Sequence, residues 1–185
     1  MAVNSKIQFF EKYFTVNGTY TYGQIVVHSK LDFTNVKCIS LDNSTVYFDI
    51  CLLKSVNRTY KYLSIRARFP RKQPTYDIKV NFAMMRRENG YKPFLYNITI
   101  DACKYLKTHN NPVIRFGHQF FEKYSTVNRT CPYGQDEVLD KLPVSYVNNL
   151  ITSVLPLPHG DYAYQLTFYL YNKKLAIATV YASFT

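Results

Sequence analysis

The 185-residue chain contains no tryptophan, only 6 glycines, and 12 acidic residues against 23 lysines and arginines. So few glycines exclude a collagen-like or glycine-rich low-complexity chain. No run of about 20 apolar residues is present, which excludes a membrane-spanning helix. His28, His109, His118 and His159 fall in no metal-ligand spacing, and the phosphate loop, the G-x-G-x-x-G turn and the G-x-S-x-G elbow are all missing. Asp136, Glu137 and Asp140 cluster, yet beside Lys141 they read as a solvated surface. His159-Gly160-Asp161 reads as a turn entering a strand. No enzymatic activity, no cofactor and no metal are expected.

The shortage of acids leaves a formal charge of +11. Such a balance raises nucleic acid, membrane headgroups or sulfated glycans as partners. An RNA-binding sheet interleaves exposed aromatics with Lys and Arg, and KYLSIRARF (61–69) approximates that only loosely. Arg66 and Arg68 instead alternate with Ile65, Ala67 and Phe69, as on the outer face of a sheet. No nucleic-acid partner is expected.

What the chain does have is 18 tyrosines and 13 phenylalanines, residue types that favour strands. Strands are predicted over 31–41, with a bulge near Asn35, and over 44–56, with Val46, Phe48, Ile50 and Leu52 on one face. Two more are predicted over 59–69, with Leu63, Ile65, Ala67 and Phe69 inward, and 77–87, with Ile78, Val80, Phe82 and Met84 inward. Asn89-Gly90 is a hairpin signal leading into 91–100, where Phe94, Tyr96, Ile98 and Ile100 share a face. Residues 101–108 read as one or two helical turns. From Pro112 a helical spacing runs through Val113, Phe116, Phe120, Tyr124 and Val127, and 144–155 is a weaker helical segment. A hairpin of 161–171 and 175–184, turning at Asn172-Lys173-Lys174, closes the chain. The sum is a mainly β fold, a β-sandwich of about seven strands with two short helical inserts.

Cys38, Cys51, Cys103 and Cys131 are too far apart for a zinc knuckle or a Cys-x-x-Cys motif. An even count in a small domain predicts two disulfides, with three connectivities open. Glycosylation sequons begin at Asn17, Asn43, Asn57, Asn97 and Asn128. Together with the cysteines they point to an extracellular protein. The N-terminus, MAVNSKIQFFEKYF, lacks the apolar core of a secretory signal.

A repeat bears on that gap. Residues 8–24, QFFEKYFTVNGTYTYGQ, match 119–135, QFFEKYSTVNRTCPYGQ, at thirteen of seventeen positions. The copy is too short for a structural repeat. Residues 25–29, IVVHS, read like the tail of a signal peptide. Residues 1–29 are therefore expected to be an aberrant segment, a duplicated phrase plus a signal remnant, packing poorly on a single domain spanning 31–185.

FTNVKC (33–38), VNRTYKYLSI (56–65) and NGYKPFLYNITIDACKYLK (89–107) resemble a large insect family. It comprises small secreted proteins of unknown function, expanded in flies and similar to the CheA/CheB chemosensory proteins. NPVIRF (111–116), CPY (131–133), Leu155-Pro156 and GDY (160–162) continue the likeness, which covers residues 31–185. The resemblance implies a distant relation to the ML lipid-recognition superfamily, which includes the ganglioside activator. It thus implies an Ig-like, ML-type sandwich holding a lipid or hydrocarbon between its sheets. It also carries over the four cysteines, with Cys38 expected to join Cys51 and Cys103 to join Cys131. Asn43, Asn57, Asn97 and Asn128 are the expected glycan sites. Phe48, Ile50, Leu63, Ile65, Val80 and Phe82 are candidate pocket-lining residues. Phe94, Tyr96, Ile98, Leu166 and Phe168 complete that set. The competing expectation is a secreted interaction protein with a filled core, binding glycans, a receptor or another anionic surface through its basic face.

Overall fold

Eight strands, most of them with alternating apolar and polar residues, form in a computed structural model that describes residues 30–71, 74–127, 131–152 and 157–185. The strands are β1 (Leu31–Ser40), β2 (Tyr47–Ser55), β3 (Lys61–Arg68), β4 (Ile78–Glu88), β5 (Gly90–Asp101), β6 (Glu137–Pro143), β7 (Gly160–Leu170) and β8 (Lys173–Phe184). The expected aberrant segment 1–29 lies outside the described residues, and β1 begins at Leu31.

Five strands form one antiparallel sheet in the order β1-β8-β7-β4-β5, and three form a second in the order β2-β3-β6. A shared core of Leu31, Phe33, Met84 and Phe184 from the first sheet with Leu63 and Leu142 from the second packs them face to face. The fold is a mainly β sandwich.

The β1–β2 connection differs from a simple hairpin. β1 pairs with β8 and β2 with β3, so the chain changes sheets at the 41–46 turn. Asp42 organises that turn: its carboxylate accepts from the Ser44 amide and from the Ser44 and Thr45 hydroxyls. The crossing places Cys38 and Cys51 on facing edge strands of the two sheets, where they form a disulfide with Cα atoms 6.1 Å apart.

A bulge between Phe48 and Ile50 also corrects the expected inward row of β2. One extra residue reverses the parity of everything that follows. Leu53, opposite Leu63, therefore joins the core, and Leu52 is left exposed.

Strand β6 was not expected, and the reason lies in its geometry. Its apolar residues Leu139 and Leu142 both pair with inward positions of β3, Ile65 and Leu63, although they are three apart. A bulge absorbs the odd residue, with Lys141 at φ 46° and its amide bonded to the buried Ser64 hydroxyl at 2.9 Å. Period-two alternation is thus erased from the sequence. The expected turn at 172–174 also moves: the β7–β8 hairpin turns on Tyr171 and Asn172, both at positive φ, and Lys173 and Lys174 are already in β8.

Three short helices cover the sandwich: α1 (Ala102–Thr108), α2 (Pro112–Gln119) and α3 (Val144–Thr152). Asp101 caps α1 by accepting from the Lys104 amide, and Asn111 caps α2 through the Val113 and Ile114 amides. The helical spacing through Val127 overshoots, because α2 ends at Gln119. The Phe120 and Phe121 amides bond three residues back, to Gly117 and His118, and a 3₁₀ turn at Glu122–Tyr124 follows. Cys103 on α1 is bonded to Cys131, which follows that turn.

Candidate functional site

Between the two sheets lies an apolar cavity of about 520 Å³. One wall comes from the three-stranded sheet, through Leu63, Ile65, Ala67 and Phe69 of β3 and its flank, with Phe48 of β2 and Leu139 of β6. The facing wall comes from β4, β7 and β8.

Strand β8 supplies the space. Its inward row is Ala176, Ala178, Val180 and Ala182, paired with the larger Phe168, Leu166, Tyr164 and Tyr162 of β7. Small side chains down the middle of a sheet that faces another sheet leave a gap no neighbour fills. None of these four residues was in the expected lining. The signal was nevertheless in the sequence, as the A-x-A-x-V-x-A row of 176–182.

Of the expected lining, Phe48, Leu63, Ile65, Val80, Tyr96, Leu166 and Phe168 do border the cavity. Ile50 does not, because the β2 bulge displaces it from the inward row. Phe82 and Ile98 pack instead with Val80, Tyr105 and Ile114 beneath α1 and α2. Phe94 packs against Tyr162 in a tilted pair, with ring centroids 5.7 Å apart. A second bulge explains part of this: Phe94, Leu95 and Tyr96 together face the single residue Met84 on β4. Leu95, at φ 61°, reaches the cavity that Phe94 misses.

The helical insert closes one flank, with Phe116, Phe120 and Phe121 lining the cavity beside Tyr96 and Tyr164. Tyr96 and Tyr164 share a side-chain hydrogen bond, and burial pushes both hydroxyls above the ordinary tyrosine range, so both stay neutral. Behind them His118 is 4% exposed, its Nδ1 lying 3.4 Å from the Tyr105 hydroxyl and 3.6 Å from Glu122. Burial lowers the pKa of His118, against a smaller opposing influence of Glu122.

Some outer-face charges are paired. Asp49 receives Arg66 at 2.7 Å and Arg68 at 2.8 Å, and these hydrogen bonds hold its carboxyl well below the usual range. Asp136, expected on a solvated surface, accepts from Arg68 and from the Phe69 amide. Arg87 pairs with Asp161, and the backbone carbonyl of His159 accepts from Arg86.

The sequon asparagines Asn43, Asn57 and Asn97 are exposed. Asn57 sits in the β2–β3 turn, its Oδ1 accepting from the Thr59 amide and hydroxyl. Asn97 accepts from Asn81 on the outer face of β5. Asn17 and Asn128 lie outside the described residues.

Among the described residues no helix is long and apolar enough to cross a membrane, and no group of His, Cys, Asp and Glu is arranged to hold a metal. No curated protein matches the chain. Residues 80–164, from β4 to the middle of β7, are similar to a family described as a protein of unknown function (DUF1091).

Proposed function

We propose that this protein is a secreted, non-enzymatic carrier holding a lipid or hydrocarbon between the sheets of an Ig-like, ML-type sandwich, with chemosensation as its setting. The observation that carries the reading is the apolar cavity of about 520 Å³. Its size falls within the roughly 300–1,000 Å³ of small-molecule sites, which are likewise lined mainly by apolar and aromatic groups. Two disulfides and the exposed sequons at Asn43, Asn57 and Asn97 support an oxidising, extracellular setting. The resemblance of residues 31–185 to small secreted proteins of unknown function, a family similar to chemosensory proteins, supports the same reading. Pairing of Arg66 and Arg68 with Asp49 weakens the alternative of a basic docking face.

Protein secreted from insect cells is expected to release a lipid or hydrocarbon on extraction, identified by mass spectrometry. Repeated extraction of nothing apolar counts against the carrier. A second measurement separates a hollow interior from a filled one. Ala178→Phe places a ring in the cavity and is expected to abolish binding while leaving the melting temperature unchanged or higher. In a filled core the same change overpacks the interior and destabilises it by about 1–3 kcal/mol.

A further inference from the structure

The cavity is not polar-free: apart from tyrosine hydroxyls, several of its polar and charged residues stand at one end. Antiparallel pairing of Ile78 with Leu170, of Leu170 with Lys173 and of Phe48 with Ala67 brings together the start of β2, the end of β3, the start of β4 and the β7–β8 turn. Val46, Phe69, Leu170 and Leu175 form one cluster there, so both sheets meet at this end. The opposite end is apolar, closed by Leu31, Phe184, Leu142 and, from α3, Val147 and Ile151.

At the polar end the lining includes Thr45, Arg71, Thr75 and Glu137. Thr45 donates its hydroxyl to Asp42, and Glu137 accepts the Thr126 hydroxyl at 2.6 Å. Thr75 differs. Its backbone is fixed by a two-way bridge to Tyr133, at 2.6 and 3.0 Å, yet its Oγ1 is buried with no hydrogen-bond partner. A hydroxyl desolvated in this way is destabilised unless something bonds to it. Arg71, four residues earlier, is exposed at the rim and makes no ion pair with a described residue. Nearby Lys173 is already committed to Asp42. Arg71 is donor-only and the Thr75 hydroxyl can donate, so together they suit an oxygen-rich acceptor, and a guanidinium matches carboxylate or phosphate best.

We infer that the ligand is a single-chain amphiphile whose small anionic head, carboxylate or phosphate, is held by Arg71 and Thr75 while its tail runs between the sheets toward α3. The inference rests on the carrier reading and names the class of ligand. Glu137 lines the same space, its carboxylate accepting the Thr126 hydroxyl.

Delipidated full-length protein is titrated with hexadecanoate, hexadecyl phosphate, hexadecanol and hexadecane, which share one tail and differ in the head, and with acetate and inorganic phosphate. One or both anionic amphiphiles are expected to bind at least tenfold more tightly than hexadecane, since a charge-assisted hydrogen bond to the head is lost with the alkane. Which of the two binds identifies the head. Arg71→Gln is expected to remove about tenfold of that preference, and Thr75→Val a smaller part, with hexadecane unchanged in both. Arg71 is exposed and Thr75→Val keeps shape, and a melting temperature for each variant confirms the fold. Equal affinity for all four tails, or a preference that survives both substitutions, overturns the head-group assignment and leaves the carrier standing. Binding of acetate or phosphate alone as tightly as the amphiphiles also overturns it. If none of the four tails binds, the carrier reading itself fails.

Discussion

His118 shows how one buried ring sets a pH response. Only 4% exposed and packed on Tyr105, His109 and Phe121, it has an Nε2 with no hydrogen-bond partner. Burial lowers its pKa from the ordinary 6.5, Glu122 opposes that shift and His109 adds to it. Below about pH 6.5 the unfolded chain takes up a proton that the folded protein resists. Stability is therefore full above that pH and falls as pH drops toward the lowered native value, at up to about 1.4 kcal/mol per pH unit. Denaturant titrations at stepped pH are expected to show this loss in the wild type and not in His118→Phe. Gly117, the preceding residue, is a second sensitive point. A Cβ there would meet the Tyr164 hydroxyl at 2.8 Å, and that hydroxyl is buried and bonded to Tyr96. Alanine gains up to about 1 kcal/mol of helix propensity and overpacking costs about 1–3 kcal/mol, so Gly117→Ala is expected to destabilise slightly, read as a lower melting temperature.

Among the elements, the edge strands carry the constraints that hold the cavity open. β1 and β2 belong to different sheets, and Cys38–Cys51 is the covalent link between them. Cys38→Ser with Cys51→Ser is expected to cost about 2–4 kcal/mol in chemical denaturation. The same pair of changes is expected to weaken ligand binding more than a remote change of equal stability cost, because it frees one edge of the cavity. The strand patterns themselves were largely legible. The bulge near Asn35, the inward rows of β3 and β4, the exposed Asn97 and Thr99 of β5, and the Asn89-Gly90 turn are all where alternation and turn chemistry place them. What failed were β6, the second half of β2, the bulge at Phe94–Tyr96 of β5, the exact place of the β7–β8 turn and the end of α2. In β2 and β6 a bulge breaks the period-two signal, and there the strand's own alternation does not announce it. In α2 the helical spacing continues past the point where the backbone tightens and turns Phe120 and Phe121 onto the cavity.

At the scale of the molecule, hydrophobic burial and emptiness compete. Each methylene moved from water into an apolar site stabilises by about 0.8 kcal/mol, so affinity is expected to rise with chain length across a homologous series until the cavity is full. Calorimetry on such a series checks this, and a flat response marks a surface interaction instead. By itself the sequence determined the β class, the inward rows that make a sandwich, the sequon asparagines that stay exposed and the even cysteine count, because each follows from local periodicity or composition. Tertiary structure alone decided which strands share a sheet, that Cys38 faces Cys51 across two sheets, and that the interior is hollow. A row such as Ala176, Ala178, Val180 and Ala182 is small in any register. Only the facing wall, standing off from it, turns that row into the lining of an apolar cavity.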